Sequence, residues 1–236
     1  MTAQEISKIL RRLANPQIAE HSRRFFKTGP GQYGEGDRFL GIRVPVLREQ
    51  AKQFMDTPLG EVLRLLQSAY HEERLCALLM LVQKYSQGNA ADQKAIYELY
   101  LKNTRYINNW DLVDLSAYLI VGQYLADQDR HPLYRLARSK SLWERRIAII
   151  ATFHFIKNSQ FTDTLKIVAL LLADQEDLIH KAAGWMLREL GKRDQAVEKE
   201  FLKAHYLQMP RTMLRYAIEK FPENERRLYL KGRAAS

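Results

Sequence analysis

The chain places apolar residues three and four positions apart over almost its whole length. The pattern runs through AQEISKILRRLA, IAEHSRRFFK, VPVLREQAKQFM, PLGEVLRLLQS, EERLCALLMLVQKYS and ADQKAIYELYLKN. It continues in RHPLYRLARS, LWERRIAIIATFHFIKN, FTDTLKIVALLLA, EDLIHKAAGWMLRELGK, VEKEFLKAHYLQ, PRTMLRYAIEKF and ENERRLYLKG. Such spacing gathers the apolar side chains on one face of a helix. No segment alternates with the period of a strand, so the pattern predicts an all-α fold. The stretch YINNWDLVDLSAYLI, residues 106–120, reads as one amphipathic helix. TGPGQYGEGDRF, residues 28–39, holds four of the eleven glycines and a proline, and reads as a loop.

The helices also repeat. ERLCALL, RRIAIIA, HKAAGWM and LRYAIEK each carry a cation second, then a mainly apolar run. Arg74, Arg146, Lys181 and Arg215 hold that slot, at steps of 72, 35 and 34, and half of the first step falls on Trp110. A period of about 35 suits a two-helix solenoid repeat. The tetratricopeptide signature is absent, so HEAT-like repeats are expected. The expected architecture is one domain over residues 1–236, an α-α superhelix curved so that one cation per repeat lines a basic concave face.

Charge narrows the partner. Lys and Arg number 37 against 27 Asp and Glu, a net charge of +10. Such an excess favours a polyanion, either nucleic acid or an anionic surface. No stretch approaches the ~18 uninterrupted apolar residues of a membrane span, and the N-terminus lacks the apolar run of a signal peptide. A cytoplasmic protein without a membrane partner is expected. The single cysteine, Cys76, forms no intramolecular disulfide and reads as a small core residue. No Cys/His cluster has zinc-ligand spacing, and GPGQYGEG neither follows a strand nor ends in Lys-Ser/Thr. HExxH and GxSxG are both missing. No metal or cofactor is expected.

The candidate chemistry lies in NNWDLVD, residues 108–114, and KAAGWMLRE, residues 181–189. Trp110 and Asp114 stand four apart, side by side on a helix. Trp185 is likewise framed by charged residues, whereas Trp143 opens LWERRIAII and reads as packing. Indole faces and carboxylates both attract positive charge, and arginine binds phosphate. Two indoles, a carboxylate and an arginine in a basic setting fit a cationic centre attached to a phosphate backbone. An alkylated purine nucleotide is such a ligand. Its glycosidic bond breaks without a general acid, because the expelled base leaves neutral, and a carboxylate can stabilise the sugar cation and orient water.

These residues resemble the DNA alkylation repair family of HEAT-like-repeat DNA glycosylases, the AlkD type. FLGIRVPVLR (39–48), NNWDLVD, LWERRIAI (142–149) and KAAGWMLRE carry the likeness, in an order and spacing that span most of the chain. The resemblance implies a C-shaped solenoid that wraps double-stranded DNA on its basic concave face, and a monomer is expected because one concave face is enough. It implies base excision repair by hydrolytic release of cationic N3- and N7-alkylpurines, without swinging the lesion into a pocket. Asp114 matches the family's catalytic carboxylate. Trp110 and Trp185 match the indoles that pack on the lesion's deoxyribose, and Arg146 matches the arginine that holds the adjacent backbone. Arg188, Lys181, Arg43, Arg48 and Arg74 are further expected DNA contacts, and Gly41 and Pro45 would shape a turn into a helix. Two departures stand out. The loop TGPGQYGEGD is longer than in compact members, and Val44-Pro45 replaces their Thr-Pro. Two other functions fit the same sequence. A non-catalytic HEAT-like clamp on damaged or branched DNA would share the basic face, and a protein-interaction scaffold would bind DNA weakly and without salt dependence.

Overall fold

The computed structural model describes residues 1–234. Residues 235–236, the end of the expected 1–236 domain, lie outside the described residues. Among the described residues the fold is all-α, and the one β contact is an isolated bridge between Arg38 and Tyr70. No helix among them is long and apolar enough to cross a membrane. The chain forms two compact units, Met1–Ser116 and Ala117–Ser236.

In the first unit, helix Ala3–Arg12 opens on a capping box. The Glu5 N–H donates to the Thr2 hydroxyl, and the Thr2 N–H donates to the Glu5 carboxylate. Asn15-Pro16 both ends this helix and starts the next. The Asn15 side chain accepts from Gln17 and Ile18, and Pro16 takes the first position of Pro16–Phe25, where no N–H is needed. Val44–Gln53 and Leu59–Leu66 then pack on the 17-residue helix His71–Gln87. That helix buries Leu75, Cys76, Leu78, Met80 and Leu81. Cys76 is core, as expected, and burial pushes its thiol up to about 12, so it holds little thiolate at neutral pH.

The segment Phe39–Ile42 has no helix of its own, yet all four residues are buried. Its backbone is satisfied by a side chain. The buried Glu72 carboxylate accepts from the N–H groups of Leu40 at 2.8 Å, Gly41 at 2.7 Å and Ile42 at 3.3 Å. Gly41 turns the chain at φ 79°, where a Cβ would collide with the Asn15 carbonyl and the Ala19 nitrogen. Only glycine fits both constraints.

In the second unit, Asp177–Gly191 packs against Leu142–Ala151, Thr162–Leu170, Gln195–His205 and Arg211–Ala217. At Gly184 the Met213 carbonyl comes too close for a Cβ. His131–Ala137 pairs with Leu142–Ala151. The expected single helix in LWERRIAIIATFHFIKN is two, Leu142–Ala151 and Phe153–Lys157. Between them the Thr152 hydroxyl donates to the Ile149 carbonyl at 2.7 Å, a local bond that competes with the helical ladder.

The reading of residues 106–120 as one helix is also corrected. The segment divides into a 3-10 turn, Thr104–Tyr106, a short α-helix, Trp110–Asp114, and a π-helix, Tyr118–Gly122. Asn109 causes the first break. Its backbone is extended, and its side chain accepts from the Trp110 N–H at 2.8 Å, so the helix restarts at Trp110.

Replacing Glu72 with Ala would orphan three buried N–H groups at ~1–3 kcal/mol each. Urea denaturation of Glu72→Ala is expected to show a loss of about 3 kcal/mol or more. Glu72→Gln, which keeps one acceptor oxygen, loses less.

Candidate functional site

In the first unit the site is the helix Trp110–Asp114 with its supports. Trp110 is half-buried and begins this helix, and Asp114, also half-buried, ends it. The Trp110 indole stacks on Phe26 at 5.3 Å and meets the exposed Phe25 edge-on at 5.9 Å. Asp114 lies near the fully buried Tyr100, whose hydroxyl pairs with Ser116 at 2.9 Å. Burial and then the Asp114 charge push the Tyr100 phenol upward, against the Ser116 bond.

The second acid of the helix, Asp111, has a different part. It is buried and bonded to His71 Nε2 at 2.8 Å. The other ring nitrogen of His71, Nδ1, meets Asp37 at 3.2 Å. Asp37 also accepts from Arg74 at 2.6 Å and from the Asn109 amide at 3.3 Å. One buried ring therefore joins the end of the 28–38 loop to the helix that carries Trp110. Phe39 stacks on this ring at 4.7 Å and Phe26 lies against it at 4.9 Å, so Trp110, Phe26 and His71 form a continuous stack. Burial disfavours the charged ring. The Asp111 charge and bond, with the Asp37 bond, outweigh burial and the opposing Arg74, and His71 is raised to about 9. Asp37 is held below its ordinary range. Burial raises it, but the His71 bond and the Arg74 charge prevail.

Arg74 is thus no surface cation. It is buried, with its guanidinium on Asp37 and on the Ser68 carbonyl at 3.1 Å. Arg43 and Arg48, by contrast, are exposed, Arg43 at the N-cap of helix Val44–Gln53 and Arg48 in its middle.

The other expected residues belong to the second unit. Arg146 is buried and donates to the Leu178 carbonyl at 2.5 Å. Lys181 is half-buried and pairs with Asp177 at 2.7 Å. Arg188 is paired with Glu219. Trp185 is half-buried, and its indole N–H donates to Glu189 at 3.2 Å. The recurring cation slot therefore does not form one exposed row. Arg74 and Arg146 face inward, Lys181 is paired at the edge, and Arg215 is exposed. The slot lies on helices that are buried along much of their length, so its register follows packing as much as solvent.

A family model described as DNA alkylation repair enzyme matches residues 6–221. The chain belongs to the DNA alkylation repair enzyme family. Among solved structures, it is similar to a "predicted DNA alkylation repair enzyme from Enterococcus faecalis", with a TM-score of 0.68 and 18% identity. That match covers 89% of this chain and 97% of the other. At this identity the likeness shows the fold. No curated protein matches.

In this family member, sequence reasoning gave no role to His71, the ring that supports Trp110 through Phe26, or to Asp37. The signal was present but scattered, because Asp37, His71 and Asp111 meet only after folding. The sign of the pH effect follows from the raised His71. Its contribution is complete below about pH 6.5, the ordinary histidine value, and is lost as pH rises through about 9. Denaturation midpoints of the wild type are expected to fall across that window. The change in tryptophan fluorescence is expected to track the fall through Trp110. In His71→Gln, both dependences should flatten over the same window.

Proposed function

We propose that this chain is a DNA N-glycosylase that hydrolyses the glycosidic bond of cationic N3- or N7-alkylpurines in double-stranded DNA. The observation that carries the reading is the short helix Trp110–Asp114, which presents an indole and a carboxylate one turn apart inside a chain of the DNA alkylation repair enzyme family. In the reaction the bond between C1′ and the purine nitrogen breaks, and its electron pair leaves with the base. The base was cationic and departs neutral, so no acid has to protonate it. The sugar becomes an oxocarbenium ion. Asp114 stabilises that charge and orients a water, whose oxygen bonds to C1′ as its proton is released.

Trp110 supplies an aromatic face to the cationic sugar. Its stack on Phe26 and His71 supports a fixed orientation for that face. By resemblance, Trp185 also serves the deoxyribose, and Arg146, Arg188 and Lys181 serve the backbone. The buried Arg146 is anchored on the Leu178 carbonyl, and its proposed backbone role comes from the resemblance. The exposed Arg43 and Arg48 are proposed as phosphate contacts in the first unit. The buried, ion-paired Arg74 is better suited to holding Asp37 than to a phosphate.

The test is release of free base from duplex DNA carrying 7-methylguanine, repeated with 3-methyladenine. Wild-type protein is expected to release base. Asp114→Asn should retain duplex binding and lose about 100-fold or more in single-turnover rate, the usual scale for a positioned acid-base group. Salt-dependent duplex binding without release from either lesion would favour the non-catalytic clamp.

A further inference from the structure

Trp185 sits at one end of an aromatic row in the second unit. Phe153 lies 6.0 Å from it, and Tyr118 meets Phe153 edge-on at 5.3 Å. All three rings are half-buried, so each keeps an exposed portion. Two cations lie over the row. The Lys157 ammonium is 4.8 Å from the Tyr118 centroid and 4.8 Å from the Phe153 centroid, and the Arg193 guanidinium is 6.0 Å from Phe153. Arg193 shares Glu189 as a partner at 3.9 Å. Lys157 is exposed and is paired with no carboxylate among the described residues. Two ring faces fix its position without neutralising its charge.

The backbone is shaped to make this arrangement. Tyr118 opens the π-helix Tyr118–Gly122, a rare geometry that re-aims side chains and occurs often at functional sites. Gly122 closes it where a Cβ would strike the Ala151 carbonyl and the His154 Cβ. That close approach seats the π-turn against the junction from which Phe153 and Lys157 project. His154, between Phe153 and Lys157, is held below its ordinary value by burial, then by Lys157 and Arg130, against the charge of Asp127.

We propose that Tyr118, Phe153 and Lys157 extend the Trp185 surface into a strip that receives a deoxyribose-phosphate strand, with Lys157 as a direct phosphate contact. The proposal rests on the glycosylase reading only in taking duplex DNA as the partner. Aromatic edges with a fixed, un-neutralised cation match a strand that alternates apolar sugar with phosphate. An acidic polypeptide offers charge without the intervening ring.

The test is fluorescence anisotropy with a labelled, undamaged duplex across a salt series. One lost phosphate contact makes the slope of log affinity against log salt shallower by about 0.9. Lys157→Ala is therefore expected to bind more weakly at low salt. Between 50 and 200 mM it should lose about 3.5-fold less affinity than wild type. Lys157→Arg should restore the wild-type slope, and Phe153→Leu should weaken binding at an unchanged slope. A Lys157→Ala slope equal to that of a steeply salt-dependent wild type overturns the proposal. So does an equal loss of affinity for polyglutamate, which would make the strip a surface for acidic proteins. A wild type whose duplex binding is weak and flat in salt fails the DNA reading itself and is seen before any variant is made.

Discussion

The first unit depends on one buried charge. His71 is almost fully enclosed, and a lone imidazolium there would be unstable. It persists because Asp37 and Asp111 approach its two nitrogens from different parts of the chain. Removing His71 leaves the buried Asp111 without its ion partner, and removing Asp37 leaves the buried Arg74 without one; breaking such a buried pair costs far more than an exposed ion pair contributes. The same ring is an apolar surface for Phe39 and Phe26. Electrostatics and stacking thus fix one object, and Trp110 rests on it through Phe26. The glycine-rich loop 28–38 is held at this end. Asp37 ties it into the same cluster.

Buried acids perform similar service elsewhere in the unit. Glu72 replaces a missing helix for Leu40, Gly41 and Ile42. Glu73, the next residue, accepts from Ser7 at 2.6 Å, Ser68 at 2.5 Å and Arg11 at 3.2 Å. Three consecutive charged side chains, Glu72, Glu73 and Arg74, are therefore buried at the start of one helix, each on a different neighbour. This changes the meaning of the net charge of +10. Some of the cations that the sequence offers for a polyanion are internal struts, while Arg43, Arg48, Lys157 and Arg215 face solvent.

The all-α class was legible because apolar spacing reports directly on burial, and helix after helix falls where that spacing predicts. Boundaries were less legible where a side chain competes with the backbone. Asn109 divides the Trp110 segment, and Thr152 divides LWERRIAIIATFHFIKN, yet neither alters the apolar period. The family could be read from four short segments, and the model match over residues 6–221 bears that out. Burial of the cation slot could not be read, since Arg74 and Arg215 look alike until their neighbours are known. His71 was invisible for the same reason. Its two acids lie 34 residues before it and 40 after it.

Each unit carries a tryptophan with an acid four residues on, Trp110 with Asp114 and Trp185 with Glu189. Each indole also lies against a phenylalanine, Phe26 or Phe153. The two acids differ in exposure. Glu189 is buried, accepts the Trp185 N–H, pairs with Lys192 at 2.6 Å and has Arg188 and Arg193 at 3.9 Å. A carboxylate so surrounded by donors has little field left for a cation on a sugar, and it fixes the indole instead. Asp111, closer to Trp110 in sequence, is likewise committed to His71. Of the acids beside the two tryptophans, Asp114 alone is half-buried rather than buried, which is the exposure a group needs to meet a substrate while keeping a low-dielectric neighbourhood. The proposed division of labour follows from that difference: Asp111 and Glu189 each hold an indole in place within its own unit, and Asp114 is the acid proposed to act on the substrate at Trp110.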